Sequence, residues 1–506
     1  MRAPRSGWIL GAVVLVAAAV LVTVGTAALN RVSRTPLPIP SFVPPAELQP
    51  PDCEVSIQSM VAAADEGATV TVPACLARET VTIDKPLTLQ GEPGAAIRGS
   101  DIWTEWRRTG SGWRSRDAVP QFEQLGACAT AHDCLEPAQV YLDGVPLVRV
   151  AGPPGPDSYV LDAQRRVTLG ADPRNRLVEV TTRTTWVRIE AAGVTVTGFD
   201  MRHAANPPQT GAILNVAGTG RDTISGNTLA YAHGAGAALD HGSDNAILDN
   251  DVGYAGQLGI HLGGGVSPEN GRDNVVRGNR VHHNNLAGFD PEWETGGLKA
   301  TVQTGLVIED NQFEHNAGPG IWCDIYCSDV TIARNSVHDN THAGIMYEVS
   351  TEGRILNNAV WANGAGKPEW GWGAGILVSS SGTTEVADNT SAWNQQAAIS
   401  IISQSRSDWP DVEATGISVH DNTMAQAAGW LAFWAEDWDG PLLDEGSRNE
   451  GYHNRYGAGS GAHYHWGRDI DTLAAFEATP GEENAVLLEQ PDLAAALAAA
   501  GIPAAP

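Results

Sequence analysis

"LVIEDNQFEHNAGPGIW" (306–322) is followed seven residues later by "VTIARNSVHDNTHAGIMYE" (330–348). Both stretches read the same way: a short β-branched run, an Asn, a few polar residues, a second Asn, then Gly-Ile and another apolar alternation. "TISGNTLAYAHGAGAAL" (223–239) and "AILDNDVGYAGQLGIHL" (246–262) carry the same cadence. The first Asn of each unit falls at Asn227, Asn250, Asn279, Asn311, Asn335, Asn358, Asn389 and Asn422, with the tightest spacings 23 to 24 residues. A period of that length, with two or three short strands per unit, is the signature of a solenoid. One coil cannot bury its own apolar face, but stacked coils share a continuous core. Asn at a fixed turn can take a left-handed backbone position and hydrogen-bond to its copy in the next coil. An antiparallel sandwich would not reuse one turn slot through eight units.

Working outward, residues 52–100 have the short-strand cadence of first coils, as in "GATVTVPACLARETVTIDKPLTLQGEPGAAIRG". Residues 101–186 break the period, and turn signals within alternating runs predict an inserted small β subdomain there. The parallel β-helix is expected over 187–440. The Ala- and Leu-rich end predicts short helices within a C-terminal cap (441–506) that covers the last coil. The predicted class is therefore all-β.

The N-terminus has Arg2 and Arg5 before an uncharged, mostly apolar run. Residues 1–6 read as a cytoplasmic tail and 7–29 as a transmembrane anchor, with a cleaved signal peptide as the rival reading. The Pro-rich stretch 30–51 then serves as a linker. This order places the remaining domain outside the cell, at the membrane or secreted. Six cysteines fall into sequence-local pairs, Cys53 with Cys75, Cys128 with Cys134 and Cys323 with Cys327. Local pairing reads as disulfides and an oxidising compartment, provided the chain turns between Cys323 and Cys327. A formal charge of −28 argues against nucleic acid as a partner. A monomer is expected.

The first Asn usually stands nine residues before the Gly or Ala opening the next strand, as Asn311 does before Gly320. Two units break this rule. Asn279 to Gly297 is eighteen residues and Asn358 to Gly375 is seventeen. The extra residues form loops 286–296 and 366–373. The first carries Glu292, Trp293 and Glu294; the second carries Trp370 and Trp372. Two coils without insertions lie between them, so the loops should wall a trough roughly 14 Å wide.

Alternation supplies the floor. Positions one and three after the opening Gly are apolar and point inward. Position two gives His261, Lys299, Trp322 and Met346 over successive coils, and position four gives Asp324 and then Glu348. Those two carboxylates should stack roughly 5 Å apart at their roots. Like charges that close resist joint ionisation, so one pKa should rise, which suits acid–base work at a glycosidic bond. Lys299 could hold the other carboxylate charged. Trp322 and the loop indoles could stack on sugar rings, and His261 is a candidate contact.

From about residue 190 to 440 the repeat resembles the pectate-lyase-like right-handed parallel β-helix proteins. Glu292, Glu294 and Lys299 also resemble a pattern in the chondroitinase B and alginate lyase family. That resemblance implies Ca²⁺ held by Glu292 and Glu294, with Lys299 as the base. The family's arginine on the next coil is replaced by Trp322 and Asp324, and polygalacturonase signatures are absent. Three functions follow. The leading expectation is a glycoside hydrolase that uses Asp324 and Glu348, needs no cofactor and acts on a polysaccharide or cell-wall glycan. The others are a calcium-dependent lyase using Lys299 and a non-catalytic glycan-binding surface protein.

Overall fold

A computed structural model describes residues 50–504, except 111, 217–218, 241, 264–270 and 406–411. The expected tail, anchor and nearly all of the linker lie outside the described residues. Among the described residues no helix is long and apolar enough to cross a membrane.

Hydrophobic stacking sets the architecture. Ile224, Ile247, Val276, Ile308, Ile332, Ile355 and Val386 are each fully buried and align in parallel register from coil to coil. They form one inner face of a solenoid. Leu229, Val252, Val281, Phe313, Val337 and Val360 line the second face. Ile260, Leu298, Ile321, Ile345, Ile376 and Ile399 line the third. Each such side chain contributes about 1.5–3 kcal/mol of burial. Like residues stacked at the strand spacing fill the interior without gaps. The first face is a sheet of twelve parallel strands running from Thr69–Val72 to Glu450–Tyr452.

The Asn ladder holds the turns. Asn311 Oδ1 accepts from the Asn279 backbone N–H at 2.9 Å and from its side-chain amide at 3.0 Å. Its own Nδ2 donates to Val276 O at 2.9 Å and to Asn335 Oδ1 at 3.0 Å. The pattern repeats from Asn227 to Asn454. A second ladder joins Asn284, Asn316, Asn340, Asn363 and Asn394. One expectation needs correcting. The left-handed residue is the one before each ladder Asn: Asp249, Asp310, Arg334, Asn357, Asp388 and Asp421, with φ between 53° and 57°. That residue makes the bend, which leaves the next Asn free to turn its amide inward between coils.

The ends are closed by different means. The helix Ile57–Ala63, capped by the Ser56 hydroxyl, buries Ile57 and Val61 against the first coil. The Cys53–Cys75 disulfide ties it there. The solenoid runs beyond residue 440, because Arg455–Trp466 pairs in parallel with Thr423–Glu436. The Asn ladder carries this extra coil and ends on Glu482, which accepts from Asn454 Nδ2 at 2.8 Å and from Tyr456 OH at 2.6 Å. The helix Leu473–Phe476 buries Phe476 at that end, whereas Gln490–Ala499 lays Leu493 and Leu497 on the outer side of the solenoid, against Ala392 and Ala425.

The strands from Ser100–Ile102 to Val178–Thr181 leave the solenoid as two small sheets, one of four strands and one of five. They have a separate core around Val140, Tyr159, Val167, Leu169 and Val180. The next solenoid strand, Val187–Ile189, pairs directly with Val81–Ile83, so the subdomain is an excursion between two stacked coils. A buried Arg78–Glu179 pair at 2.7 Å and Tyr141 stacked on His203 at 3.7 Å join it to the solenoid.

Candidate active site

The site stands on the outer side of the third face. Lys299, Trp322 and Met346 are register neighbours on successive strands, and Asp324 pairs with Thr301 two residue pairs further on. Glu348 follows Tyr347, the register partner of Cys323, so it occupies the Asp324 slot on the next coil.

These side chains leave the coil outward, but they do not face an open trough. Lys299 is 1% exposed, Glu348 3%, Trp322 6% and Asp324 7%. The two inserted loops meet above them. Lys367, from the second loop, pairs with Glu292 of the first, and its Nζ lies 2.9 Å from Glu369. Burial would lower the Lys367 pKa, but the hydrogen bonds from both glutamates hold it raised. The expected trough is thus partly covered, a pocket of about 330 Å³ that remains open to solvent on one side. Glu292, Trp293, Glu294, Lys299, Trp322, Asp324, Glu348 and Trp372 all line it.

Lys299 Nζ bonds Asp324 Oδ2 at 2.6 Å and sits 3.0 Å from the centroid of the Trp322 ring. It therefore combines an ion pair with a cation–π contact. The Ile325 N–H donates to the other oxygen, Asp324 Oδ1, at 2.8 Å. The Trp322 indole N–H donates to Glu348 Oε2 at 3.1 Å, and the Ser379 hydroxyl to Glu348 Oε1 at 3.4 Å. A five-residue relay of Lys299, Asp324, Trp322, Glu348 and Ser379 thus fixes both carboxylates, and its members come from four successive strands.

Two candidates lie elsewhere. Trp370 packs edge-on against Phe433 at 6.4 Å, on coils past the cavity. His261 neighbours Lys299 in register and lies 3.9 Å from Glu294 behind the first loop. Burial lowers its pKa, against the pull of Glu294 and Asp240.

Glu292 and Glu294 do not converge as a pair of ion ligands. Glu292 is engaged by Lys367, whereas Glu294 accepts from Gln209 Nε2 at 2.7 Å. Among the described residues no three His, Cys, Asp or Glu side chains are grouped to hold a metal. The expected Cys323–Cys327 disulfide is also corrected. Both are free, buried thiols, while Cys53–Cys75 and Cys128–Cys134 are bonded. The Cys327 thiol points to Asp324 O at 3.5 Å and Ala300 O at 3.7 Å. Its hydrogen bond to Cys323, together with burial, pushes the Cys323 pKa well up, so that thiol stays protonated. The turn gets its shape from left-handed Ile325 and Tyr326.

Sequence reasoning missed Lys367 and His342, which both line the cavity. Burial first, then the Lys367 charge, lowers the His342 pKa to about 4, and the Thr341 hydroxyl stands 3.1 Å from its Nδ1. It is therefore a neutral imidazole at neutral pH. Lys367 did leave a signal. The chain has three lysines, Lys85, Lys299 and Lys367, and two of them reach this cavity.

The stacked coils define a right-handed parallel β-helix fold, and residues 212–391 match the family model of the right handed beta helix region. Among solved structures, the chain is similar to XylC in its complex with xylose. The TM-score is 0.57 at 16% identity, covering 86% of this chain and 79% of that one. It is also similar to the A-module of the Azotobacter vinelandii mannuronan C-5 epimerase AlgE4, at TM-score 0.47 and 15% identity, covering 76% and 93%. No curated protein matches the chain.

Proposed function

We propose that this protein is a glycoside hydrolase that works in the partly covered cavity with Asp324 and Glu348. The observation that carries the reading is the pair itself. Two buried carboxylates on adjacent coils line one cavity, and each is oriented by its own donors. The bound xylose named for XylC belongs to that protein, and it agrees with a glycan as the partner here.

The donors divide the roles. Asp324 is fixed by the Lys299 ammonium and the Ile325 N–H, so it is assigned the nucleophile. A carboxylate keeps further lone pairs after those two bonds. Glu348, held by the Trp322 indole N–H and the Ser379 hydroxyl, is assigned the general acid. In the first step Glu348 gives its proton to the glycosidic oxygen. The bond from that oxygen to the anomeric carbon breaks, and an Asp324 oxygen bonds to that carbon. In the second step the Glu348 carboxylate takes a proton from water. The water oxygen then displaces Asp324, releasing the sugar and restoring both groups. Roots one strand spacing apart suit this double displacement with retention.

About 330 Å³ holds one or two sugar rings, so the substrate is a chain end or a short oligosaccharide. Lys299 suits the lyase role poorly, because its Nζ is engaged by Asp324 and by the face of Trp322. The two disulfides support an oxidising, extracytoplasmic location.

The test uses residues 50–506 with 4-nitrophenyl glycosides and a polysaccharide panel, with and without EDTA. Released nitrophenol or new reducing ends without unsaturated uronates are expected, unaffected by EDTA. Asp324→Asn and Glu348→Gln should each lower kcat at least 10³-fold with the fold retained by circular dichroism. Full activity in either variant would refute the assignment. Unsaturated products lost with EDTA would indicate the lyase, and binding without turnover a surface lectin.

A further inference from the structure

The cavity wall that carries Glu292, Trp293 and Glu294 is not held by the solenoid alone. A loop of the inserted subdomain runs beside its approach. Cys128 forms an antiparallel bridge with Phe289. The Ala129 N–H donates to Gly288 O at 3.0 Å, and the Asp290 N–H to Ala127 O at 2.9 Å. Gly126 completes the contact. Its φ is 107°, and a Cβ there would stand 2.5 Å from Trp293 Cζ3 and 3.0 Å from Phe289 Cε1. The Trp293 ring is therefore packed directly on the Gly126 backbone.

This loop has little core of its own. Between Gln121 and Thr130 only Phe122 is buried and only Cys128 half-buried, and the loop carries no strand. Its roots are Phe122 in the subdomain core, the Cys128–Cys134 disulfide with Cys134 buried, and Gln124 on Glu136 at 2.9 Å. Arg165 clamps that same glutamate at 2.9 and 3.0 Å. On the other side Asp290 passes the position on. Its carbonyl accepts from the Trp293 N–H at 3.0 Å, and its carboxylate from the Glu292 N–H at 3.0 Å.

We infer that the disulfide-closed loop Cys128–Cys134, with Gly126, positions the Pro291–Glu294 wall of the cavity and so sets substrate affinity without touching the substrate. The inference rests on the glycosidase reading of the cavity. Asp324 and Glu348 stand on floor strands held by their own ladders, so affinity and chemistry should separate.

The test uses the full chain with Cys128→Ser/Cys134→Ser and, separately, Gly126→Ala, on a 4-nitrophenyl glycoside that the unaltered protein hydrolyses. KM should rise at least fivefold in both, with kcat within twofold. A merely structural loss would shrink the active fraction, lowering kcat at constant KM, and that result overturns the inference. Phe lacks the outer ring carbons that a Gly126 side chain would strike. In a Trp293→Phe background Gly126→Ala should therefore raise KM by a smaller factor, since only the Phe289 contact and the backbone conformation at Gly126 remain, and an undiminished rise counts against the packing argument. Hydrogen exchange provides a readout independent of turnover. Amides 288–296 should exchange faster in the cysteine variant, while those of 331–338 stay unchanged. Identical exchange in both regions overturns the positioning. If the unaltered protein cleaves no glycoside, the hydrolase proposal fails, and the exchange comparison alone decides the positioning.

Discussion

Lys299 lies between the Asp324 carboxylate and the face of Trp322, in a slot that leaves it 1% exposed. Breaking a buried pair from one side leaves the other charge uncompensated, at a cost of about 3–5 kcal/mol. Lys299→Met should therefore lower stability by about that much in urea denaturation. Lys299→Met/Asp324→Asn should regain part of the loss, because no bare carboxylate stays buried. Equal losses in the two variants would show that the pair does not act as a unit. At this scale strand alternation made part of the site legible. It put Lys299, Trp322, Asp324 and Glu348 on one side of successive strands. It could not reveal that Lys299 would bond Asp324 diagonally and lay its ammonium on the intervening indole. Lys367 and His342 come from a loop and a turn, where no period says which way a side chain points.

The Asn ladder is the element-scale device. Asn311 is 2% exposed, and its side chain takes part in four hydrogen bonds to three other residues. Removing the amide strands buried groups on both neighbouring coils, at about 1–3 kcal/mol each. Asn311→Ala should thus cost on the order of 3 kcal/mol by chemical denaturation. The exposed Asp310→Ala beside it should cost less, because it loses backbone preference at a left-handed position and an exposed ion pair with Arg334. A cost below 1 kcal/mol for Asn311→Ala would contradict the ladder's role. The ladder was plain in the sequence as a period. Which residue bends left-handed was not, because Asp, Arg and Asn precede the ladder residue without pattern. The two loops were visible as extra residues against that period. Their meeting was not, since it depends on how far each folds back across two coils. Trp370 shows the limit: it shares a loop with Trp372, yet packs on Phe433 instead of facing the cavity.

Over the whole molecule, buried histidines link stability to acid. Burial lowers the pKa of His233 to about 4. It does the same for His342, helped by Lys367, and for half-buried His283, helped by His282 and His315. Each stays neutral in the fold at pH values where the unfolded chain, with the ordinary pKa of 6.5, already takes a proton. The unfolded state then binds more protons, so stability falls as pH drops. The contribution is fully present above about pH 6.5 and is lost progressively towards pH 4. A shift of that size on fully buried His233 amounts to on the order of 3 kcal/mol. The urea midpoint should therefore fall between pH 7 and pH 4.5, and His233→Gln should flatten that slope. A midpoint independent of pH over this range would contradict the linkage. The inserted subdomain belongs to this scale too. Its presence showed as a break in the repeat, but its contact with the 288–293 segment joins residues more than 150 positions apart.

The sequence by itself determined the solenoid, because period, ladder and inward apolar positions recur locally and each coil needs only its neighbours. It also determined that loops 286–296 and 366–373 interrupt that period beside a line of polar outward residues. Only the tertiary structure decided that the loops close over that line, that Lys367 joins Glu292 across it, and that Cys323 and Cys327 stay reduced. The reason is physical. Repeating backbone geometry follows from local alternation and stacking, whereas the covering of the cavity depends on side chains far apart in the chain, and their pairing is set by where the loops come to rest.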